Sequence, residues 1–201
     1  MPISQIVTNS IANDAVVTVD IANGAVTSAK MASGAARANF GAGAVLQVVS
    51  TTKTDTSSGT NLMSSDSWSS VLSVSITPSS SSSRILVMYA INFGGLLTSG
   101  DGSVVTRLVR NSTAIAVGDA SGTRKRTTTG TQFPSRSDLH GQHDMNFLDS
   151  PATTSATTYA VQLACRGTGG NTWYVNRSQA DSDEIETARP VSTITVMEIA
   201  A

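Results

Sequence analysis

Cys165 is the only cysteine among the 201 residues, so the chain has no intrachain disulfide framework. Aromatic residues make up 4% and charged residues 13%, which excludes a core built mainly of large rings. Lys and Arg number 13 against 14 Asp and Glu, and the net charge of −1 argues against a general nucleic-acid or membrane-surface binder. No apolar run approaches the roughly 20 residues of a membrane-spanning helix. The opening MPISQIVTNS has neither the basic nor the apolar region of a secretory leader, so assembly inside a cell without export is expected. Nucleophile elbows, HExxH zinc motifs and P-loops are absent as well, and no cofactor is expected. What remains is rich in Ser, Thr, Ala, Val and Gly. Such a chain favours β-structure with many turns, because β-branched side chains fit a pleated, half-buried surface. Cys165 ends the apolar run Tyr159–Cys165 and reads as a buried small hydrophobe.

The first forty residues carry a repeat. Ile11, Ile21 and Met31 stand ten residues apart and each is followed by Ala. Asn13-Asp14, Asn23-Gly24 and Ser33-Gly34 recur at the same offsets. The finer spacing is five: Ile6, Ile11, Val16, Ile21, Val26, Met31, Ala36. On a helix such a stripe drifts by about 140° per step. On a flat strand, five steps send successive anchors to opposite faces. The chain must therefore turn within each unit, and the Asn, Gly and Ser pairs supply residues suited to turns. Thr18 and Ser28 are placed to cap single helical turns that Gly24 and Gly34 would end. One medium apolar side chain per five residues cannot offset an ordering cost of roughly 1–2 kcal/mol per residue. Either the segment is disordered, or several copies wrap with their anchors on one axis. A random linker needs composition but no register, so the strict spacing favours wrapping.

After Phe40-Gly41-Ala42-Gly43 the decads stop and strand-like runs begin. They cover Ala44–Ser50, Val71–Thr77, Arg84–Asn92, Ser103–Arg110, Ala114–Val117, Met145–Leu148, Thr157–Cys165, Thr172–Asn176 and Val191–Ile199. Alternation predicts Ile85, Val87, Tyr89 and Ile91 on one face, with Ile194, Val196 and Glu198 sharing a face of the last strand. Short strands between Gly, Ser and Pro clusters, with no helix of length, predict an all-β antiparallel sandwich or jelly roll. SITPSSSSSRILV reads as a polar turn closed by Pro78. The stretch from Ser50 to Ser70 reads as an edge strand or surface connection, in which Trp68 is expected to plug the core rather than bind a ligand.

Those two halves together resemble a known family. NGAVTSAKMASGAARANFGAGAVLQVVS is similar to decads of bacteriophage tail-fibre and other virion-fibre proteins. LSVSITPSSSSSRILVMYAIN, RLVRNSTAIAVGDASGTR, FLDSPATTSATTYAVQLACRG, YVNRS and RPVSTITVMEIAA look like a head domain carried on such shafts in phages of aquatic bacteria. The resemblance spans most of residues 20–201. It implies a non-enzymatic homotrimer located in the virion and assembled in the host cytoplasm. The expected parts are an N-terminal attachment segment over 1–10, a trimeric shaft over 11–40 and a β-sandwich head over 41–201. The shaft anchors would be Ile6, Ile11, Val16, Ile21, Val26 and Met31. The implied partners are tail, portal or capsid proteins at the N-terminus and bacterial surface polysaccharide at the head. A capsid decoration or cement protein is the alternative, since the shaft is short. A small glycan hydrolase is the enzymatic rival.

Candidate contact residues lie in the second half. Arg124-Lys125-Arg126 is the one basic cluster, either a solvated loop or a contact with an anionic partner. Trp173 and Tyr174 offer two adjacent rings, one expected in the core and the other at a sugar or a subunit interface. His140 and His143 with Asp144 have a spacing that a metal can use. Zinc usually takes three or four ligands, so a solvated loop or a hydrogen-bonded trimer contact is the expectation and no metal is assigned. Asp181, Asp183, Glu184 and Glu186 cluster as acids do in glycosidases, but within so short a polar stretch they read as a solvated loop.

Overall fold

The computed structural model describes residues 17, 21–22, 25–27, 41–96, 102–133, 137–166, 171–185 and 187–201. The chain divides into two units, Met1–Phe40 and Gly41–Ala201. In the first, Val17, Ile21 and Val26 are exposed. Ile6, Ile11, Val16 and Met31 lie outside the described residues, as does the expected attachment segment.

The second unit is all-β. Its strands are β1 (Val45–Lys53), β2 (Ser57–Gly59), β3 (Ser69–Ile76), β4 (Arg84–Leu96), β5 (Gly102–Arg110), β6 (Thr113–Ile115), β7 (Thr129–Phe133), β8 (Gly141–Asp149), β9 (Thr157–Cys165), β10 (Thr172–Val175) and β11 (Ser192–Ile199). A single 3₁₀ turn, Met63–Ser65, is the only helical element among the described residues. All named strands pair antiparallel, in two sheets. The first sheet is centred on the 13-residue β4. On one side of β4, β11 pairs with its first half and β1 with β11, while β10 pairs with its second half and β2 with β10. On its other side lies β8. The second sheet runs β3, β9, β5, with β6 and β7 sharing the outer edge of β5.

Alternation decides which side chains meet between the sheets. Ile85, Val87, Tyr89, Ile91 and Phe93 of β4 are buried, and so are Ile194 and Val196 of β11. They form one cluster with Leu72, Val74 and Ile76 of β3, Val104 and Leu108 of β5, and Tyr159, Val161, Leu163 and Cys165 of β9. Fully burying one such side chain contributes roughly 1.5–3 kcal/mol, so this cluster dominates the stability of the unit. Cys165 is free and buried, and burial pushes its thiol up to about 12.

Three polar ties cross this apolar layer. Tyr159 donates its hydroxyl proton to Asp149 Oδ2 at 2.6 Å, and Arg110 Nη1 donates to both Asp149 oxygens at 2.9 Å. The Tyr89 hydroxyl lies 3.2 Å from Thr106 Oγ1. His143 Nε2 lies 2.8 Å from Thr131 Oγ1, with its ring against Phe93. Glu198, also wholly buried, occupies a fourth polar site at the sandwich rim. It accepts from the Ser79 amide and hydroxyl at 2.7 and 2.6 Å and from Gln47 Nε2 at 2.6 Å. The serine turn after Pro78 is thus more than a spacer, because it neutralises the desolvation of a buried acid.

Three expectations are corrected. His143 and Asp144 belong to β8, not to a loop: Gln142, His143 and Asp144 pair with Asn92, Ile91 and Ala90. The polar sequence hid the strand because its outward positions face water. β7 was absent from the expected strands for the same reason, since Thr129-Gly130-Thr131-Gln132 has no apolar alternation. Trp68 is half-buried and stands outside the core cluster, because the strand that follows it starts its inward alternation only at Leu72.

Candidate functional site

The site begins at the turn before β3. The Met63–Ser65 turn is closed by Asp66 in the left-handed region, φ 54°, whose amide donates to the Met63 carbonyl. Ser67 N–H then donates to the Leu62 carbonyl at 3.1 Å. This tight reversal brings the Asp66 carboxylate back to Trp68, whose indole Nε1 donates to Oδ1 at 2.8 Å. The indole is thus held at its N–H edge by an acid.

Arg107 supplies the other half. Thr106 and Leu108 point inward, so alternation along β5 turns Arg107 outward. Its register partner on β9 is Gln162, and Arg107 Nε donates to Gln162 Oε1 at 2.7 Å. That bond steers the guanidinium over Trp68, 4.3 Å from the ring centroid, as a cation–π pair. Arg107 Nη1 also lies 3.7 Å from Asp66 Oδ1.

The connection between β6 and β7 brings in the basic cluster. Gly118 N–H donates to the Thr127 carbonyl and Thr128 N–H to the Thr106 carbonyl, which closes the base of the loop on β5. Gly122 turns the tip at φ 54°. Arg126 Nε donates to the Gly118 carbonyl at 2.5 Å, and Lys125 Nζ lies 3.9 Å from Asp66. Asp66, Trp68, Arg107, Ala114, Val117 and Arg124 to Arg126 line one depression of about 280 Å³. Four cations thus line the depression, and two of them, Arg107 and Lys125, lie within 4 Å of the Asp66 carboxylate. The indole hydrogen bond, and then the charges of Lys125 and Arg107, hold the Asp66 carboxyl below its ordinary value. The lining offers hydrogen-bond donors, positive charge and an aromatic edge. It contains no pair of carboxylates and no activated nucleophile, so it suits binding of an anion better than hydrolysis.

The other sequence candidates fall elsewhere. Trp173 is buried on the inner side of β10, so its ring cannot meet a partner at the surface. Its indole sits so close to Gly59 of β2 that a Cβ there would come within 2.3 Å of it. Tyr174 points the opposite way, half-buried, with the Arg177 guanidinium 4.3 Å from its ring. Both belong to the first sheet, and the structure does not bring them to Arg124-Lys125-Arg126. His140 is exposed while His143 is buried, and burial lowers the His143 imidazole to about 4. Of the acidic cluster, Asp181 is held by Arg177 at 3.4 Å and by Arg189 at 2.9 Å. Asp183 and Glu184 are exposed beside it, and Glu186 lies outside the described residues. No helix among the described residues is long and apolar enough to cross a membrane.

Sequence reasoning found the basic cluster, placed Trp68 in the core ahead of a ligand site, and missed Arg107. A signal for each is present. Trp68 stands in SSDSWSS, a setting too polar for a core ring, with Asp66 two residues before it. Arg107 interrupts VVTRLV at a position that period-two alternation assigns to the outer face.

No protein-family model and no curated protein matches the chain. Among solved structures, the chain is similar to the infectious bursal disease virus Gx strain, with TM-score 0.38 and 12% identity over 77% of this chain and 37% of that one. It is also similar to the VP2 subviral particle of that virus, with TM-score 0.35 and 12% identity over the same shares. The T=1 particle derived from the virus gives TM-score 0.36 and 11% identity over 77% and 36%. The chain spans a little over a third of the length of these solved chains.

Proposed function

We propose that the chain is a non-enzymatic virion fibre of a phage, a homotrimer anchored to other virion proteins through its N-terminus, whose β-sandwich attaches to an anionic bacterial surface polysaccharide. The observation that carries the attachment is the convergence of Trp68, Arg107 and Arg124 to Arg126 around one depression. Three parts of the chain distant in sequence build it, and none of its lining side chains belongs to the core cluster. An acidic sugar would place its anion among the cations and an apolar ring face against Val117 and the indole. A single depression of this size binds weakly. Three on one shaft gain avidity, because the second and third contacts become intramolecular. The trimer is supported by decad spacing and by the exposure of Ile21 and Val26 in one chain.

The test is adsorption of the purified full-length chain to host cells across a range of salt. Replacing Arg124, Lys125 and Arg126 together by Ala should weaken adsorption and flatten its salt dependence, since exposed charges act through a screened field. Adsorption unchanged at both low and high salt would remove the depression from the binding surface. Normal adsorption with loss of incorporation into virions would instead favour the capsid-decoration reading.

A further inference from the structure

The two sheets have unlike outer faces. On the second sheet, Ala160 and Ala164 of β9 and Val105 and Val109 of β5 face outward but are buried, and the outward residues of β3 and β9 left to solvent are polar: Ser73 and Ser75 on one, Thr158 and Gln162 on the other. They satisfy one another, with Ser75 Oγ 2.7 Å from Thr158 Oγ1 and Gln162 Nε2 donating to Ser70 Oγ. The first sheet does the opposite. Register places Val48, Met197, Leu86 and Leu148 side by side across β1, β11, β4 and β8. All four point away from the core, because their neighbours Val49, Val196, Val87 and Phe147 point into it. Met88 continues the row one step along β4, and Val45 pairs with Ile199 at its other end. Val45 and Val48 are half exposed, at 50% and 54%. An apolar band across four strands of a sheet that fronts water is uncommon, since such a face normally alternates to polar.

The position of the band says what covers it. The forty residues that precede the sandwich join it at Gly41–Ala44. Gly43 N–H donates to the Ala200 carbonyl at 2.8 Å, and Ala200 N–H donates to the Ala44 carbonyl at 2.9 Å. The chain therefore enters at the Val45–Ile199 end of this band. Copies that share the N-terminal repeat are tethered to one another through this junction, so each sandwich is linked to its neighbours at the end where the band begins.

We infer that the outer face of the first sheet, centred on Val48, Leu86, Met88 and Met197, is the surface through which the sandwiches of neighbouring copies pack against each other. The inference rests on the trimeric reading above. It commits to a second copy of this chain as the occupant, because copies joined through the N-terminal repeat are tethered at the end of the sheet where the band begins. Each copy would bury an apolar patch of the kind seen at the centre of homo-oligomer interfaces, which is depleted of charge.

Thiol reactivity tests it. Cys165 is the chain's only thiol and is buried, so it gives a silent background. Full-length variants Val48→Cys, Met88→Cys and Ser73→Cys each add one outward thiol. All three are exposed to maleimide at a concentration where sedimentation reports three chains, and again after dilution has separated them. The expected result is loss of reaction at positions 48 and 88 in the trimer, recovery on dilution, and free reaction at position 73 throughout. A trimer in which positions 48 and 88 react as freely as 73 overturns the assigned face and leaves the fibre reading intact. Protection that persists in separated chains also overturns it, since a segment of the same chain would then be the cover. A chain that sediments as a monomer at every concentration overturns both.

Discussion

Glu198 and His143 show at the scale of one residue how this sandwich tolerates buried ionisable groups. Burial alone would raise Glu198, but hydrogen bonds from Ser79, Ser83 and Gln47 outweigh it and hold the carboxyl below its ordinary 4.5. The folded state therefore binds fewer protons than the unfolded one just below that value. The contribution is full above about 4.5 and is lost as pH falls through the folded pKa. His143 is depressed as well, from 6.5 to about 4, by burial alone. The unfolded chain takes up its proton first, so this contribution is complete above 6.5 and is lost between there and about 4. At about 1.4 kcal/mol per unit the loss is on the order of 3 kcal/mol. Urea midpoints at pH 7.5 and 5 should differ clearly in the parent chain and much less in His143→Gln. Glu198→Gln should leave that difference in place and remove only a further drop below pH 4.5. Equal pH dependence in all three chains would exclude both assignments. Asp149 differs in kind because it joins two sheets. Asp149→Ala strands the Arg110 guanidinium and the Tyr159 hydroxyl, and loss of a buried partner of this sort costs roughly 3–5 kcal/mol. Thermal unfolding is the check, with Asp149→Asn expected to fall between the two because it still accepts from Tyr159.

Among the elements, β2 and β10 meet with almost no tolerance. Gly59 lies under the Trp173 indole, and an added methyl would overlap its ring. Gly59→Ala should therefore destabilise by about 1–3 kcal/mol through overpacking, although alanine suits a strand better than glycine. Denaturant midpoints decide it, and a neutral or stabilising result would mean that Trp173 sits elsewhere. The same pair marks where the sequence was legible. β9 was expected over Thr157–Cys165 and is found there, because Tyr159, Val161 and Leu163 alternate without interruption. β4, β5 and β11 follow the same logic, and the inward set from Ile85 to Ile91 is the observed one. β2 and β7 carry Ser, Thr and Gly, so their identity as strands comes from the partner they pair with and not from their own pattern. The site was half legible for a related reason. A run of three cations is visible in one line of sequence. Its meeting with Trp68 and Arg107 depends on cross-strand register, which no local pattern specifies.

For the whole molecule, the decisive quantity is how many chains share the N-terminal repeat. Ile21 is 45% exposed in a single chain, an unfavourable position for a large aliphatic group unless other copies cover it. Ile21→Asp separates the two cases. In a lone chain, a carboxylate at a half-exposed position is solvated and changes little. On a shared axis, the same substitution brings three carboxylates together in an apolar setting, and even one unpaired buried charge costs several kcal/mol. Charge repulsion should raise their pKa, so the damage should ease as the solution is acidified. The expected outcome at pH 7 is rapid proteolytic release of residues 1–40, while the remaining fragment keeps its β-sheet circular dichroism. Sedimentation should then report weaker association, with partial recovery near pH 5. Identical protease resistance and identical sedimentation in parent and variant would take Ile21 off any common axis, and with it the reading of the decads as a shaft.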